Sequence, residues 1–172
     1  VITEGKSIQI HPLVVGGFNA DFDGDTHGIF VPSSEEARLE AQNMKPSKNL
    51  FGTKDFGLMN IPSWGSAFGI YQLSEIKTKS SKKFESSTQA YAAFKAGKLK
   101  ENEGFKMGKG VTTIGRLKLH KALPEEVKRS DIGMDILYGK ELNNSNMKKV
   151  LDRIARVKPD VFPRVVDDWK NL

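Results

Sequence analysis

The chain has 172 residues, of which 38% are hydrophobic and 28% charged, and a formal net charge of +6 at pH 7. This composition is typical of a globular protein, and the sequence contains no run of about 18 apolar residues that would predict a membrane span. It also contains no cysteine, which excludes disulfides, zinc–thiolate sites, iron–sulfur clusters and cysteine nucleophiles.

The first quarter of the chain predicts two strands and a helix. Residues 8–15 and 27–31 are rich in β-branched or aromatic side chains and predict strands, with a loop over residues 18–26 between them. Ser33 and Glu36 form a capping-box pattern that predicts a helix over residues 34–44.

The remainder alternates predicted loops with helices. Residues 77–86 and 98–110 predict charged loops, and residues 87–96 predict a helix that ends at Gly97. Residues 112–124 fit either a strand or a short helix. Two further helices are predicted by apolar residues at helical spacing, first Met147, Val150, Leu151, Ile154 and Val157, then Val161, Val165, Trp169 and Leu172.

Charge is unevenly distributed along the chain. Residues 1–76 carry a net charge of −4, whereas residues 77–109 and 110–172 carry +6 and +4. An acidic N-terminal part followed by a basic remainder is typical of a protein with a polyanionic partner. A solvated basic surface explains the charge equally well.

The sequence Asn19-Ala20-Asp21-Phe22-Asp23-Gly24-Asp25 places three carboxylates at positions i, i+2 and i+4. Like charges this close repel one another, and a divalent cation relieves the repulsion. Oxygen ligands suit Mg²⁺ or Ca²⁺, and Gly24 permits the sharp turn that would aim the flanking carboxylates at one point.

Two other interpretations of this loop are disfavoured. A solvated acidic turn would not need Phe18, Ala20 and Phe22, which we expect to anchor the loop against a core. An EF-hand loop counted from Asp21 requires glycine at its sixth position and glutamate at its twelfth, but the sequence has Thr26 and Pro32 there. Catalytic magnesium remains, in the arrangement typical of nucleotidyl transfer.

Residues 5–32, GKSIQIHPLVVGGFNADFDGDTHGIFVP, closely resemble the active-site segment of the largest, β′-type subunit of multisubunit DNA-directed RNA polymerases. The NADFDGD heptapeptide is the signature of that family. The resemblance continues through SSEEARLEAQNM, FGIYQLS and TTIGRLKLHKALP, and is looser over residues 148–172.

The resemblance implies an α+β fold in three parts. Residues 1–45 would form the later portion of a double-psi β-barrel that carries the catalytic loop and the following helix. Residues 46–124 would form a pore-like mixed α/β region, and residues 125–172 the helical start of the funnel.

The resemblance also implies site residues and a cofactor. Asp21, Asp23 and Asp25 would be catalytic and would hold one Mg²⁺ stably, while a second Mg²⁺ arrives with the nucleoside triphosphate. Asn19 would bind the substrate ribose. Arg116, within TTIGR, would contact nucleic acid or brace the fold, and the sequence does not favour either role.

The chain departs from the family pattern at several positions. A glutamine usual after the last aspartate is Thr26, the next pair is His27-Gly28, and a usual Gln-Asp pair is Trp64-Gly65. Together with a short segment between Leu73 and Thr112, these departures favour a virus-encoded polymerase. The expected location is then cytoplasmic, in a bacterial host cell or in a virion.

The implied partners are other RNA polymerase chains (a β-type subunit and the remaining β′ segments), the DNA template, the RNA transcript and nucleoside triphosphates, with no membrane partner. A half barrel exposes unpaired strand edges and cannot bury its own core. We therefore expect one piece of a split or fragmented subunit that is inactive alone. Two alternatives stay open: a two-barrel polymerase that copies RNA, and a non-catalytic assembly module that retains the loop.

Overall fold

The computed structural model describes residues 4, 5 and 7–172 and has a mixed α+β architecture. The chain divides into two compact units, an N-terminal unit (Val1–Ile61) and a C-terminal unit (Pro62–Leu172). Within the described residues, every helix is too short or too polar to cross a lipid bilayer.

The described part of the N-terminal unit is mostly irregular. A 3₁₀ turn at Pro12–Val14 leads into a one-turn helix, α1 (Val15–Phe18), and α2 (Glu35–Asn43) follows the acidic loop. The Ser34 hydroxyl accepts a hydrogen bond from the Ala37 amide, so the predicted helix over residues 34–44 is confirmed with its N-cap one residue later than expected.

The two strands predicted in this unit are wrong. Residues 12–18 are helical instead, because Pro12 begins a 3₁₀ turn whose first amide donates to the His11 ring. Residues 27–31 pair with no strand among the residues that the structure describes. A strand needs a neighbour for its backbone hydrogen bonds, and the β-pairing found among the described residues of this unit is a single isolated bridge between Phe51 and Leu58.

The C-terminal unit begins with α3 (Trp64–Ser74) and a three-stranded sheet. Strand β1 (Thr78–Lys83) pairs in parallel with β2 (Glu103–Met107), and β2 pairs antiparallel with β3 (Gly110–Thr112). The parallel pair needs a crossover, which α4 (Ser87–Lys95) supplies. The predicted helix over residues 87–96 is confirmed, and Gly97 follows it with a φ of +70°.

The loops predicted over residues 77–86 and 98–110 are wrong where these strands lie. Strand β1 has the sequence TKSSKK, and most of its side chains are exposed. A lysine-rich edge strand lacks the alternation of apolar and polar residues that predicts a strand. It forms because it pairs with a neighbouring strand, and its own composition does not predict that pairing.

The remaining helices close the unit: α5 (Ile114–Lys121), α6 (Glu125–Lys128), α7 (Asp131–Tyr138), α8 (Asn144–Val157) and α9 (Phe162–Lys170). Helix α5 confirms the helical alternative for most of residues 112–124. Both predicted C-terminal helices are confirmed. Their apolar positions are buried except for Val161, which is half-buried, and Val157 and Leu172, which are exposed. One core cluster lies among the sheet, α4, α5 and α7, and consists of Ala90, Leu99, Phe105, Ile114, Leu117 and Leu137.

Candidate metal centre

The acidic loop follows helix α1 directly. Asn19 ends α1 in the left-handed conformation, with a φ of 48° and a ψ of 41°, and its amide donates to the carbonyls of Val15 and Gly16. Asparagine tolerates this conformation better than most residues, because its short polar side chain adds little steric strain. The chain therefore turns sharply just before the three aspartates.

Hydrogen bonds within the loop fold it on itself. The Asp21 amide donates to Asp25 Oδ2 at 3.0 Å, and the Asp23 amide donates to Asp21 Oδ1 at 3.2 Å. Gly24, between the last two aspartates, has a φ of +127°, and a residue with a side chain would be strained in this conformation. These contacts bring carboxylate oxygens of Asp21, Asp23 and Asp25 to within 4.8 Å of one another.

The three carboxylates are fully exposed, and two of them influence each other's protonation. A hydrogen bond between the side chains of Asp21 and Asp23 raises the pKa of Asp23 and lowers that of Asp21, because the pair shares a proton more readily than it carries two full charges. A divalent cation between the same oxygens would relieve this repulsion.

The donor set fits Mg²⁺. All three side chains offer hard carboxylate oxygens, which Mg²⁺ prefers over nitrogen or sulfur. Because they reach a common point from one exposed loop, they leave room for the waters and substrate phosphates that usually complete an octahedral Mg²⁺ shell. Asp21, Asp23 and Asp25 are therefore the residues that could hold the metal.

The expectation that Phe18, Ala20 and Phe22 anchor the loop in a core is wrong for the two phenylalanines, whereas Ala20 is half-buried. Phe18 and Phe22 are 56% and 72% exposed. Phe18 instead packs edge-to-face against His27, with ring centroids 5.7 Å apart, and this pair joins the two ends of the loop. The sequence does not predict this contact, because Phe18 and His27 are nine positions apart and meet only when the loop closes.

Asn19 and Arg116 lie in different environments. Asn19 is exposed at the start of the acidic loop, where its side chain is accessible. Arg116 is only 2% exposed, and its guanidinium donates from Nε to the Ser74 carbonyl at 2.7 Å and from Nη1 to the Gly139 carbonyl at 2.8 Å. Burial lowers the pKa of Arg116, although an arginine remains protonated. The structure thus favours the bracing role over a nucleic-acid contact.

Residues 1–46 match a family model described as "RNA polymerase Rpb1, domain 2", and this range contains the whole acidic loop. The chain is also similar over its whole length to the DNA-directed RNA polymerase subunit beta′ of Aliarcobacter butzleri, with 34% identity over 181 aligned residues. The corresponding subunit of Desulforudis audaxviator is 36% identical over 74% of the chain, and that of Thermus thermophilus is 35% identical over 73%.

The chain spans about one eighth of the length of the Aliarcobacter and Desulforudis subunits, and 8% of the Thermus subunit. These relatives are named for a DNA-directed RNA polymerase, which is a nucleotidyltransferase. The comparisons therefore support a relationship to the β′-type subunit of RNA polymerase. The match extends along the whole chain for the Aliarcobacter subunit, along about three quarters of it for the Desulforudis and Thermus subunits, and over residues 1–46 for the domain model.

Proposed function

We propose that this chain supplies the magnesium-binding catalytic loop of a DNA-directed RNA polymerase. One observation carries the proposal: Asp21, Asp23 and Asp25 converge to within 4.8 Å in the segment that matches Rpb1 domain 2. The reaction is attack of the RNA 3′ hydroxyl on the α-phosphate of a nucleoside triphosphate, with release of pyrophosphate, directed by a DNA template.

In this proposal, the three aspartates hold the metal and Asn19 orients the substrate. Asp21, Asp23 and Asp25 would hold one Mg²⁺ stably while a second came with the nucleotide, and the metal would supply a lower pKa for the attacking hydroxyl and positive charge for the leaving pyrophosphate. Asn19 offers a side-chain amide to the ribose hydroxyls from the residue that begins the loop. The chain's own role is to hold the side chains of Asn19 and the three aspartates at fixed positions relative to one another in one short loop.

The proposed enzyme is active only in an assembly with a β-type subunit and further β′ segments. Large apolar side chains of the N-terminal unit support this, because Ile29, Phe30 and Val31 are 76%, 85% and 76% exposed. We propose that residues 1–45 complete a double-psi β-barrel with those partners. Residues 46–124 would then form the pore-like region and residues 125–172 the start of the funnel.

The proposed source is a virus that infects bacteria, so that the polymerase works in the host cytoplasm or is carried in the virion. Support comes from Thr26, His27 and Gly28, which depart from the pattern of the cellular family directly after the last aspartate. Sequencing the genome that encodes the chain would test this origin, and a chromosomal bacterial gene would contradict it.

Replacement of Asp23 tests the function. In the reassembled polymerase, we expect Asp23→Ala to reduce RNA synthesis by about a hundredfold or more, since several kcal/mol of charge stabilisation are lost. Glu40→Gln, a change at an exposed carboxylate on α2, is the control and should leave the rate unchanged. Incorporation of labelled nucleotide would be measured on matched DNA and RNA templates.

The possible outcomes separate the alternatives. Undiminished synthesis by the Asp23→Ala assembly would show a non-catalytic module that retains the loop. Synthesis on the RNA template alone would show a two-barrel RNA-copying polymerase. Steady synthesis by the isolated chain would contradict the proposal that activity requires assembly.

A further inference from the structure

A pair of aromatic rings closes the acidic loop at its two ends. Phe18 is the last residue of α1, and His27 lies two residues after the last aspartate of the loop. Their rings meet edge-to-face, with centroids 5.7 Å apart and planes at 89° to each other. The segment between them, residues 19–26, contains Asn19 and all three aspartates. The ring contact therefore brackets the whole candidate metal centre.

The exposure of this segment shows where the loop is held. Every residue from Asp21 to Val31 is exposed except His27, which is half-buried. Phe18, on the other side of the contact, is 56% exposed, so the ring pair lies at the surface and is not part of a buried core. Core packing therefore does not account for the pair, and its structural effect is to join the two ends of the loop.

The loop needs such a contact because its three carboxylates repel one another. Their oxygens lie within 4.8 Å, a distance at which like charges favour a more open loop. Two hydrogen bonds oppose the repulsion, from the Asp21 amide to Asp25 and from the Asp23 amide to Asp21, and both are exposed to water. Exposed hydrogen bonds compete with water and contribute little. Holding the ends of the segment together removes freedom from the open loop without that competition.

His27 takes part in this contact through its ring and not as a metal ligand. The convergent ligand atoms found among the described residues belong to Asp21, Asp23 and Asp25, and His27 is not in that group. Phe18 offers no ligand atom at all. His27 is also one of the positions at which the chain departs from the pattern of the cellular family, so the ring pair is a feature of this chain.

We propose that Phe18 and His27 form a ring clasp that positions the three aspartates for a divalent cation and so sets the metal affinity of the loop. This inference rests on the magnesium-binding role proposed above. When the clasp is lost, only the fraction of chains with a closed loop binds the metal, and the apparent dissociation constant rises in inverse proportion to that fraction. An edge-to-face aromatic pair is worth about three- to tenfold in such an equilibrium.

The test is a titration of the full chain with Mn²⁺, a paramagnetic substitute for Mg²⁺ whose free concentration is read from its electron paramagnetic resonance signal. Phe18→Leu and His27→Ala each remove one ring, and we expect each to raise the dissociation constant about three- to tenfold. The double variant should bind as the single variants do, because the second substitution has no ring contact left to remove.

His27→Phe separates the clasp from metal ligation. This variant keeps an aromatic ring but has no ring nitrogen, and we expect it to bind Mn²⁺ like the parent chain. The matched control is Phe30→Ala, which removes an 85% exposed ring three residues beyond His27 and should leave the affinity unchanged. All variants should unfold at the parent's temperature, because the substituted side chains lie outside the buried core.

A second measurement follows the clasp without metal. The amides of Asp21 and Asp23 donate to carboxylates within the loop, so their exchange with water, measured by NMR, reports whether the loop is closed. In the presence of EDTA, Phe18→Leu and His27→Ala should speed this exchange by about threefold or more, whereas Phe30→Ala should not.

Three results would overturn the clasp. The first is unchanged Mn²⁺ affinity, or unchanged amide exchange, in Phe18→Leu and His27→Ala. The second is an equal loss of affinity in His27→Phe and His27→Ala, which would make the histidine a ligand. The third is additive losses in the double variant, which would show that the rings act independently.

Asp23→Ala distinguishes a failure of the clasp from a failure of the proposed function. We expect this variant to lose Mn²⁺ binding at the loop, because a ligand is removed. If it binds Mn²⁺ like the parent chain, the proposed metal site itself is wrong. If it loses binding while Phe18→Leu and His27→Ala do not, the metal site stands and the clasp alone is wrong.

Discussion

The two units of this chain differ in how many apolar side chains they bury. Among the described residues of the N-terminal unit, the buried apolar side chains are Leu13, Val15 and Leu50, whereas the C-terminal unit buries a sheet face and the inner sides of α5 and α7–α9. The N-terminal unit nevertheless carries the cluster of three convergent carboxylates. Among the described residues, the carboxylate cluster and most of the buried apolar side chains thus lie in different units.

This difference shows that a site can be shaped locally without a core beneath it. The acidic loop is closed by contacts between residues at most nine positions apart, including the Phe18–His27 ring pair. Burial stabilises a fold in proportion to the apolar area removed from water, and the N-terminal unit removes little. We therefore expect substitutions in the C-terminal unit to change stability and substitutions in the acidic loop to change activity.

The largest effect is expected at Gly115 in α5. A Cβ atom built on Gly115 would lie 2.1 Å from the Leu73 carbonyl oxygen, so α5 must move away from the end of α3. We expect Gly115→Ala to lower the free energy of unfolding by about 4 kcal/mol, beyond the usual cost of overpacking. Urea denaturation followed by circular dichroism measures this change.

Gly69 in α3 is the matched control for that substitution. It is also a helical glycine, and a Cβ built on it meets nothing within 4 Å. Gly69→Ala should stabilise the chain by about 0.5–1 kcal/mol through helix propensity. Equal destabilisation by the two variants would contradict the close approach of α5 to Leu73.

A comparison of two isoleucines tests the contrast between the units directly. Ile154 in α8 is fully buried, and we expect Ile154→Ala to cost about 3 kcal/mol. Ile29 is 76% exposed, and Ile29→Ala should change the stability of the isolated chain by less than about 0.5 kcal/mol. A cost at Ile29 close to that at Ile154 would show that the N-terminal unit has a core of its own.

A smaller effect is expected at Arg116. Arg116→Met keeps most of the side-chain volume but removes the donors to the Ser74 and Gly139 carbonyls, and should cost about 2 kcal/mol. Arg153→Met removes an exposed ion pair with Asp135 and should cost less than about 1 kcal/mol. Similar small costs for both, with weaker nucleic-acid binding for Arg116→Met alone, would instead support a nucleic-acid contact.

Local pattern predicted several elements well. The helices α4, α8 and α9 follow from capping residues and from apolar spacing of 3.6 residues, because a helix forms its backbone hydrogen bonds within one segment. The strands were poorly predicted for the opposite reason. Residues 8–15 have β-branched side chains but pair with no strand in the described part of the chain, while the lysine-rich β1 pairs with β2.

The sequence by itself determined the acidic loop, since carboxylates two residues apart around Gly24 converge through contacts that span only a few residues. Only the tertiary structure decided the contacts of Arg116 and the need for glycine at position 115. Their partners, Ser74, Gly139 and Leu73, lie 23 to 42 residues away along the chain and approach only when α3, α5 and α7 pack together. Neighbouring residues determine the geometry of a short loop, whereas contacts between distant residues depend on how whole helices and strands bury their apolar faces.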